Sequence, residues 1–357
     1  MPIYTITPQD ILFFRDGRPM TANAGSGGHG ARWPEPSILF DALHAALHRA
    51  FPADKREDFQ PWEHSHFHGR NGRYPDRSDD SKRTHRFGSL VTAGPFPVQE
   101  GTWYFPCPSD VTRRHTTSPA LYPSAEKHGT SNLPPPAVYP VVSRVEPDKE
   151  LSHPWWNKAA IEQYLGAKTP GMAEQLPDSD LFGSEWNTGI AIDPNTQTTG
   201  RGEARGKIYA AQYLRLRDGV TLGVHAQMPT KNGQPGHFLE ALRHLFPASR
   251  VLICGGQQRA CQVEEVSKDG LKSVLPRSAE IKGERVKWVL LSPAVFPAIY
   301  ANEKQGNPKR DRDGRPLAAH PGGWLPNWID PSSGRVLLKK GSTRRGARSR
   351  EIGRAHV

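Results

Sequence analysis

Cysteine is scarce in this chain. Three are spread over 357 residues, at positions 107, 254 and 261, and no two form a CxxC pair. An odd, sparse set argues against a disulfide framework and fits a reducing cytoplasm. Long apolar runs are missing as well. No stretch reaches the roughly eighteen residues that a spanning helix requires, so no membrane segment is expected. The N-terminus has no basic segment followed by an apolar one, and a secretory leader is not expected. Familiar catalytic patterns are absent too: there is no HExxH, no GxxxxGK[ST] and no legible Ser-His-Asp set.

What is abundant is glycine, proline and positive charge. The 34 glycines and 34 prolines exceed ordinary usage, which favours strands and loops with many turns over long helices. The formal net charge of +11 suggests a polyanionic partner. Its distribution tempers that inference. Residues 335–357 hold eight Lys/Arg and one Glu, so the remaining 334 residues carry 39 basic and 35 acidic side chains, a net of +4. Local placement of charge must therefore carry the argument.

The last seven residues read EIGRAHV. The nucleotide string GAGATCGGAAGAGCACACGTC encodes them and matches a widely used sequencing adapter. Residues 351–357 are expected to be a sequencing artefact, with the natural chain continuing past about Arg350, and they are left out of the fold argument.

Along the chain, residues 3–14 have the composition of a strand, closed by a turn at Asp16-Gly17. A glycine-rich loop, TANAGSGGHGARW, fills 21–33. Pro36-Ser37 opens a helix with Ser37 as the expected N-cap. Its polar positions Ser37, Asp41, His44 and His48 oppose Leu39, Ala42, Leu43, Ala46, Leu47 and Ala50, an amphipathic pattern with one buried face. Residues 52–86 are polar and without period, as in a long insertion. Strands are predicted at 89–98 and 102–106, joined near Glu100-Gly101. The proline-rich stretch 107–200 is read as extended linkers with one short helix over about 154–165. Asp218-Gly219 between two alternating runs, 207–217 and 220–227, predicts a hairpin. A helix over 236–246, strands at 249–254 and 259–266, and a buried strand at 287–296 complete the reading. The order strand, helix, strand, strand occurs twice, the opening of a βαββαβ ferredoxin-like plan, with a boundary near 203.

Four segments carry the chemistry. In FFRDGRP, the spacing places Phe14, Arg15, Asp16, Gly17 and Arg18 at a sharp strand end. Arginine offers forked phosphate contacts there, and an exposed aromatic offers a stacking surface. The glycine-rich loop, ending in Arg32, can bring backbone amides close to a phosphate. In the 208–217 run, Tyr209, Tyr213, Arg215 and Arg217 alternate on one face, as a single-stranded RNA surface would have them. In ICGGQQR, Gly255 and Gly256 permit a left-handed turn beside Arg259. Each also has an ordinary structural explanation as a charged turn, a connector, a solvated strand face or a plain hairpin turn. His64, His66 and His68 alternate, and His44 and His48 stand at helical ligand spacing. Neither set has an identifiable fourth partner, so no metal site and no cofactor are expected.

FFRDGRP, the glycine-rich loop and WPEPSILFDALHAAL together resemble the family of the third subunit of the Cmr complex. That family belongs to the RAMP superfamily of type III-B CRISPR systems. NTGIAID, GKIYAAQYLRLRDG, ICGGQQR, LLSPAVF and GWLPNWID follow in the family's order, so the resemblance spans essentially residues 1–350. It implies an α+β chain of two ferredoxin-like (RRM-like) RAMP domains with long loop insertions, 1–202 and 203–350, the second incomplete. It implies no catalytic activity. It implies a grip on the repeat-derived 5′ tag of the CRISPR guide RNA, and contacts with the large polymerase-like subunit and the backbone RAMP subunit. It carries Phe14, Arg15, Asp16, Gly17 and Arg18, and Gly255, Gly256 and Arg259, as RNA-binding positions. Gln257 stands where family members often have Glu. The competing expectation is a RAMP endoribonuclease that processes precursor CRISPR RNA, with His29 as general acid or base.

Overall fold

The computed structural model describes residues 2–16, 27–50, 90–111, 121–123, 141–143, 153–166, 168–199, 208–227, 251–267, 270–277, 289–294, 299–300, 312 and 318–320. The expected insertion at 52–86, the helix at 236–246, and Gly17 and Arg18 lie outside them.

The strands are β1 (Ile3–Pro8), β2 (Gly27–Gly28), β3 (Val91–Gln99), β4 (Thr102–Pro106), β5 (Leu121–Pro123), β6 (Val141–Ser143), β7 (Trp155–Asn157), β8 (Gln175–Leu176), β9 (Phe182–Ile190), β10 (Ile208–Leu216), β11 (Val220–Gln227), β12 (Val251–Cys254), β13 (Arg259–Ser267), β14 (Ile299–Tyr300) and β15 (Ala318–His320). The α-helices are α1 (Pro36–Ala50), α2 (Lys158–Leu165), α3 (Asp178–Leu181) and α4 (Leu271–Val274).

An eight-stranded sheet in the order β12-β13-β1-β11-β3-β4-β7-β8 dominates the described residues, and every pairing in it is antiparallel. β1 lies between β11 and β13, with Ile6 opposite Leu222 on one side and Val263 on the other. Strands from both sides of residue 203 share this sheet, β1 and β3 with β11, β12 and β13. A second sheet, β2-β10-β9, stands beside it.

Both faces of the large sheet are covered. Helix α1 packs Leu39, Leu43 and Leu47 against Tyr4, Ile6, Leu222, Val224 and Leu252. Each such leucine contributes about 1.5–3 kcal/mol on removal from water. The amphipathic pattern of α1 is observed as read, but its start differs. The helix begins at Pro36, with the Ile38 amide donating to the Glu35 carbonyl at 3.0 Å. Ser37 thus lies inside the first turn, and Pro36 takes the first position, where a missing N–H costs nothing. On the opposite face, α2 sets Ala160, Ile161 and Tyr164 against Phe96, Val98, Phe105 and Trp156. Asn157 caps this helix by accepting the Ala160 amide at 3.0 Å. The β3–β4 hairpin turns at Glu100-Gly101 as expected, both at positive φ (49° and 80°).

Two expectations fail. Residues 207–227 are not a hairpin. Gly219 does turn the chain, at φ 77°, but β10 pairs with β9 and β2 whereas β11 pairs with β1 and β3. The turn passes the chain from one sheet to the other, because nine residues of β9 hold β10 along its whole length. The buried strand over 287–296 is not seen at 289–294, which are irregular with Leu290 half exposed. Pro293 withholds an amide from any ladder there.

Cys254 and Cys261 are fully buried on neighbouring strands, and their mutual hydrogen bond, together with burial, pushes the Cys254 thiol up, so it remains protonated. His225 on β11 is also fully buried, its Nδ1–H donating to the Pro2 carbonyl at 2.7 Å. Burial holds the imidazole below its ordinary value of 6.5, with the Pro2 bond opposing. The unfolded chain then binds a proton before the folded one, so acid favours unfolding. Stability is expected to be level above about pH 6.5 and to fall below it by up to about 1.4 kcal/mol per pH unit. Urea unfolding across that range checks this, with His225→Gln flattening the dependence.

Candidate nucleic-acid interface

The four motif segments meet at the junction of the two sheets. Beyond β1 the chain runs extended, and Leu12 exchanges both backbone hydrogen bonds with Leu214 of β10, each at 2.8 Å. One residue on, the Phe13 carbonyl accepts the Gly256 amide at 2.8 Å. The Phe14 carbonyl accepts the Ala31 amide at 2.6 Å, Arg15 bridges Gly30, and the Asp16 amide donates to His29 at 3.3 Å. Residues 12–16 are thereby tied to β10, to the turn 255–258 and to the end of the glycine-rich loop. Gly255 is required here on two counts. It sits at φ 73°, and a Cβ would come within 2.6 Å of the Phe13 carbonyl oxygen and 2.9 Å of the Phe14 ring.

The side chains form a compact polar group over this backbone. The Tyr213 ring lies 5.4 Å from that of Phe13. The Arg259 guanidinium also sits over the Tyr213 ring, 5.1 Å from its centroid. The Tyr213 hydroxyl donates to Gln257 Oε1 at 2.6 Å, and Arg259 Nη2 donates to the same oxygen at 3.2 Å. Asp10 faces both arginines: its Oδ1 accepts from Arg215 Nη2 at 3.3 Å, and its Oδ2 is 3.8 Å from Arg259 Nη1. Arg215 Nε also donates to Glu185 at 2.6 Å, a bond that raises its hold on its proton. Two arginines and two carboxylates balance in formal charge, so an anion approaching this group competes with Asp10 and Glu185.

Arg32 and Arg217 converge elsewhere, on α3. Arg32 pairs with Asp178, which also accepts Trp155 Nε1 at 2.8 Å. Arg217 Nε donates to the Ser179 carbonyl at 2.9 Å. Trp33 packs between Trp155 and Phe182 beneath them, at 5.2 and 5.3 Å.

Two sequence expectations change here. Phe14 is not an exposed stacking surface: it is 2% exposed, its ring packed under Gly255 in the core. Tyr213 is likewise no open platform, being 5% exposed between Phe13 and Arg259. Phe14 is covered by the glycine turn at 255–256, and Tyr213, itself on the second sheet, is covered by Phe13 and Arg259. Arg15, Arg32, Arg215 and Arg217 are exposed as expected, and Arg259 is partly so. His29 stands at the surface with its ring edge-on to the half-exposed Trp186, 5.6 Å away. Asp10 and Glu185 escaped the sequence reading, which noted Gln257 only as a departure from the family pattern. Asp10 meets Arg215 across 205 residues, a pairing with no local signal. Gly255→Ala is expected to destabilise the chain by roughly 1–3 kcal/mol through left-handed strain and the clash with Phe13. Gly256→Ala, whose own φ is not left-handed, should cost less, as thermal unfolding of the two variants would read out.

Among the described residues, no three His, Cys, Asp or Glu side chains gather as a metal site would need, and no helix is long and apolar enough to cross a membrane. His64, His66 and His68 fall outside them.

Comparison with known proteins finds no match among curated sequences. Among solved structures, a chain of the type III-B Cmr-beta complex bound to cognate target RNA aligns at TM-score 0.38 and 12% identity, over 99% of this chain and 94% of that one. A chain of Cmr-beta bound to cognate target RNA and AMPPnP gives TM-score 0.37 and 14% identity, over 73% of this chain. The match spans 62% of the length of that relative. A chain of the Csm3-Csm4 subcomplex of the type III-A interference complex gives 0.37 and 10%, over 75% of this chain and 70% of that one. The family model for CRISPR-associated protein Cas_Cmr3 matches residues 4–328, and with nearly the whole length aligned to it, the chain belongs to the Cmr3 family of CRISPR-associated proteins.

Proposed function

We propose that this protein is a non-catalytic RNA-binding subunit of a type III-B CRISPR effector complex in the cytoplasm. In this reading it holds the 5′ tag of the CRISPR guide RNA and docks the large polymerase-like subunit and the backbone RAMP subunit, in the service of antiviral defence. The observation that supports it most is the grouping of Arg215 and Arg259 about Asp10 beside the 255–258 turn, with the Arg259 guanidinium 5.1 Å from the Tyr213 ring centroid. A planar guanidinium held in place suits phosphate oxygens and base edges alike. The family match supplies the CRISPR context.

The proposal is tested by a gel shift with 5′-labelled guide RNA, with and without its tag, at two salt concentrations. Binding should need the tag, weaken with salt and leave the RNA intact, because displaced counterions make phosphate contacts salt-dependent. Arg15→Ala and Arg259→Ala should each weaken binding by roughly 1–3 kcal/mol if they read a base, and uniformly across sequences if they touch phosphate. Discrete shortening of a precursor RNA, abolished by His29→Ala, would replace this reading with the endoribonuclease.

A further inference from the structure

Gln257 occupies a backbone conformation that a glutamine has no intrinsic reason to adopt. Its φ and ψ are 59° and 26°, in the left-handed region, and Gln258 follows at φ 52°. A residue with a Cβ pays of order 1 kcal/mol there, and glycine or asparagine is the usual occupant. The side chain accounts for the choice. Its Oε1 accepts from the Tyr213 hydroxyl at 2.6 Å and from Arg259 Nη2 at 3.2 Å. One oxygen thus joins strand β10 to the arginine that follows the turn.

The effect is to hold Arg259. Its guanidinium is sandwiched between the Tyr213 ring and the surface, with Nη2 bound by Gln257 and Nη1 facing Asp10 at 3.8 Å, too far for a hydrogen bond. Nε is buried and without a hydrogen-bond partner, out of a ligand's reach, so Nη1, held only by the loose Asp10 ion pair, is the corner offered to a ligand. A free arginine side chain gives up about 2 kcal/mol of rotamer entropy on being fixed, and one already fixed gives up less when an anion arrives.

We infer that Gln257 is a positioning residue that presents Arg259 Nη1 to a phosphodiester oxygen of the bound RNA. The inference rests on the RNA-binding reading above and adds to it the residue that orients the contact. Glutamate at this position keeps the acceptor for both donors, whereas leucine keeps the volume and loses it.

The full chain is titrated with 5′-labelled tag-bearing guide RNA at two salt concentrations, with thermal unfolding of each variant alongside. Arg259→Ala and Gln257→Leu should each weaken binding by about tenfold, the worth of one hydrogen bond to a charged group. Both should lower the salt dependence by about one released ion. Gln257→Glu should bind close to the unmodified chain. The double variant Gln257→Leu/Arg259→Ala should bind no worse than Arg259→Ala alone. Tyr213→Phe keeps the ring under Arg259 but removes a donor to Gln257, and should give a smaller loss in the same direction. The inference is overturned if Gln257→Leu binds normally while Arg259→Ala does not. It is equally overturned if the two losses multiply in the double variant, since Gln257 would then touch RNA itself, or if every binding loss merely tracks a fall in thermal midpoint. An Arg259→Ala chain that binds normally would refute the RNA-binding role of this turn first, and the inference with it.

Discussion

The backbone of residues 12–16 is the constraint on which the candidate site depends. Four of these five residues hydrogen-bond outward through their backbones to three separate segments, and not one of those bonds is local in sequence. Leu12 ties the strip to β10, Phe13 to the glycine turn, and Phe14 to Asp16 to the end of the glycine-rich loop. Because these bonds fix different neighbours, the side chains of Tyr213, Arg215, Gln257 and Arg259 are brought to one place. Buried amides and carbonyls cannot be left unpaired without cost, so the strip and its three neighbours form as a unit.

The electrostatics of that unit differ from a simple basic patch. Arg215 and Arg259 are matched by Asp10 and Glu185, and Arg32 by Asp178. These are exposed or half-exposed pairs, worth little to stability in water. Their importance lies in geometry: a carboxylate that can swing away on a solvated side chain leaves a guanidinium already pointing the right way. Net charge, which the basic tail inflates, says much less than this arrangement about how the surface meets an anion.

Much of this was legible in the sequence, and the illegible part has a common physical origin. The amphipathic run of α1, the Glu100-Gly101 turn, and strands β12 and β13 follow from local pattern, and local pattern revealed them. The four motif segments were also identifiable, since glycine turns and alternating arginines mark themselves. Partner choice was not. Asp218-Gly219 marks a turn correctly, yet nothing near it says that β10 will pair with β9, whose run FGSEWNTGI is polar and nearly without period. The same blindness hid the burial of Phe14 and Tyr213, because the covering surface comes from a strand remote in sequence. Asp10 and Gln257 join the site only through contacts across 205 and 44 residues.

The pairing of β1 bears on how the protein is made. This strand leaves the ribosome well ahead of both its neighbours, since β11 and β13 lie beyond residue 219. At about 5–20 residues per second, roughly ten to forty seconds of synthesis separate β1 from the first strand able to pair with it. Throughout that interval Ile3, Tyr4 and Ile6 have α1 available to cover one face, but neither edge is closed. The nascent chain therefore carries an open, apolar strand throughout that interval, and co-translational shielding of it bears on the yield of the finished protein.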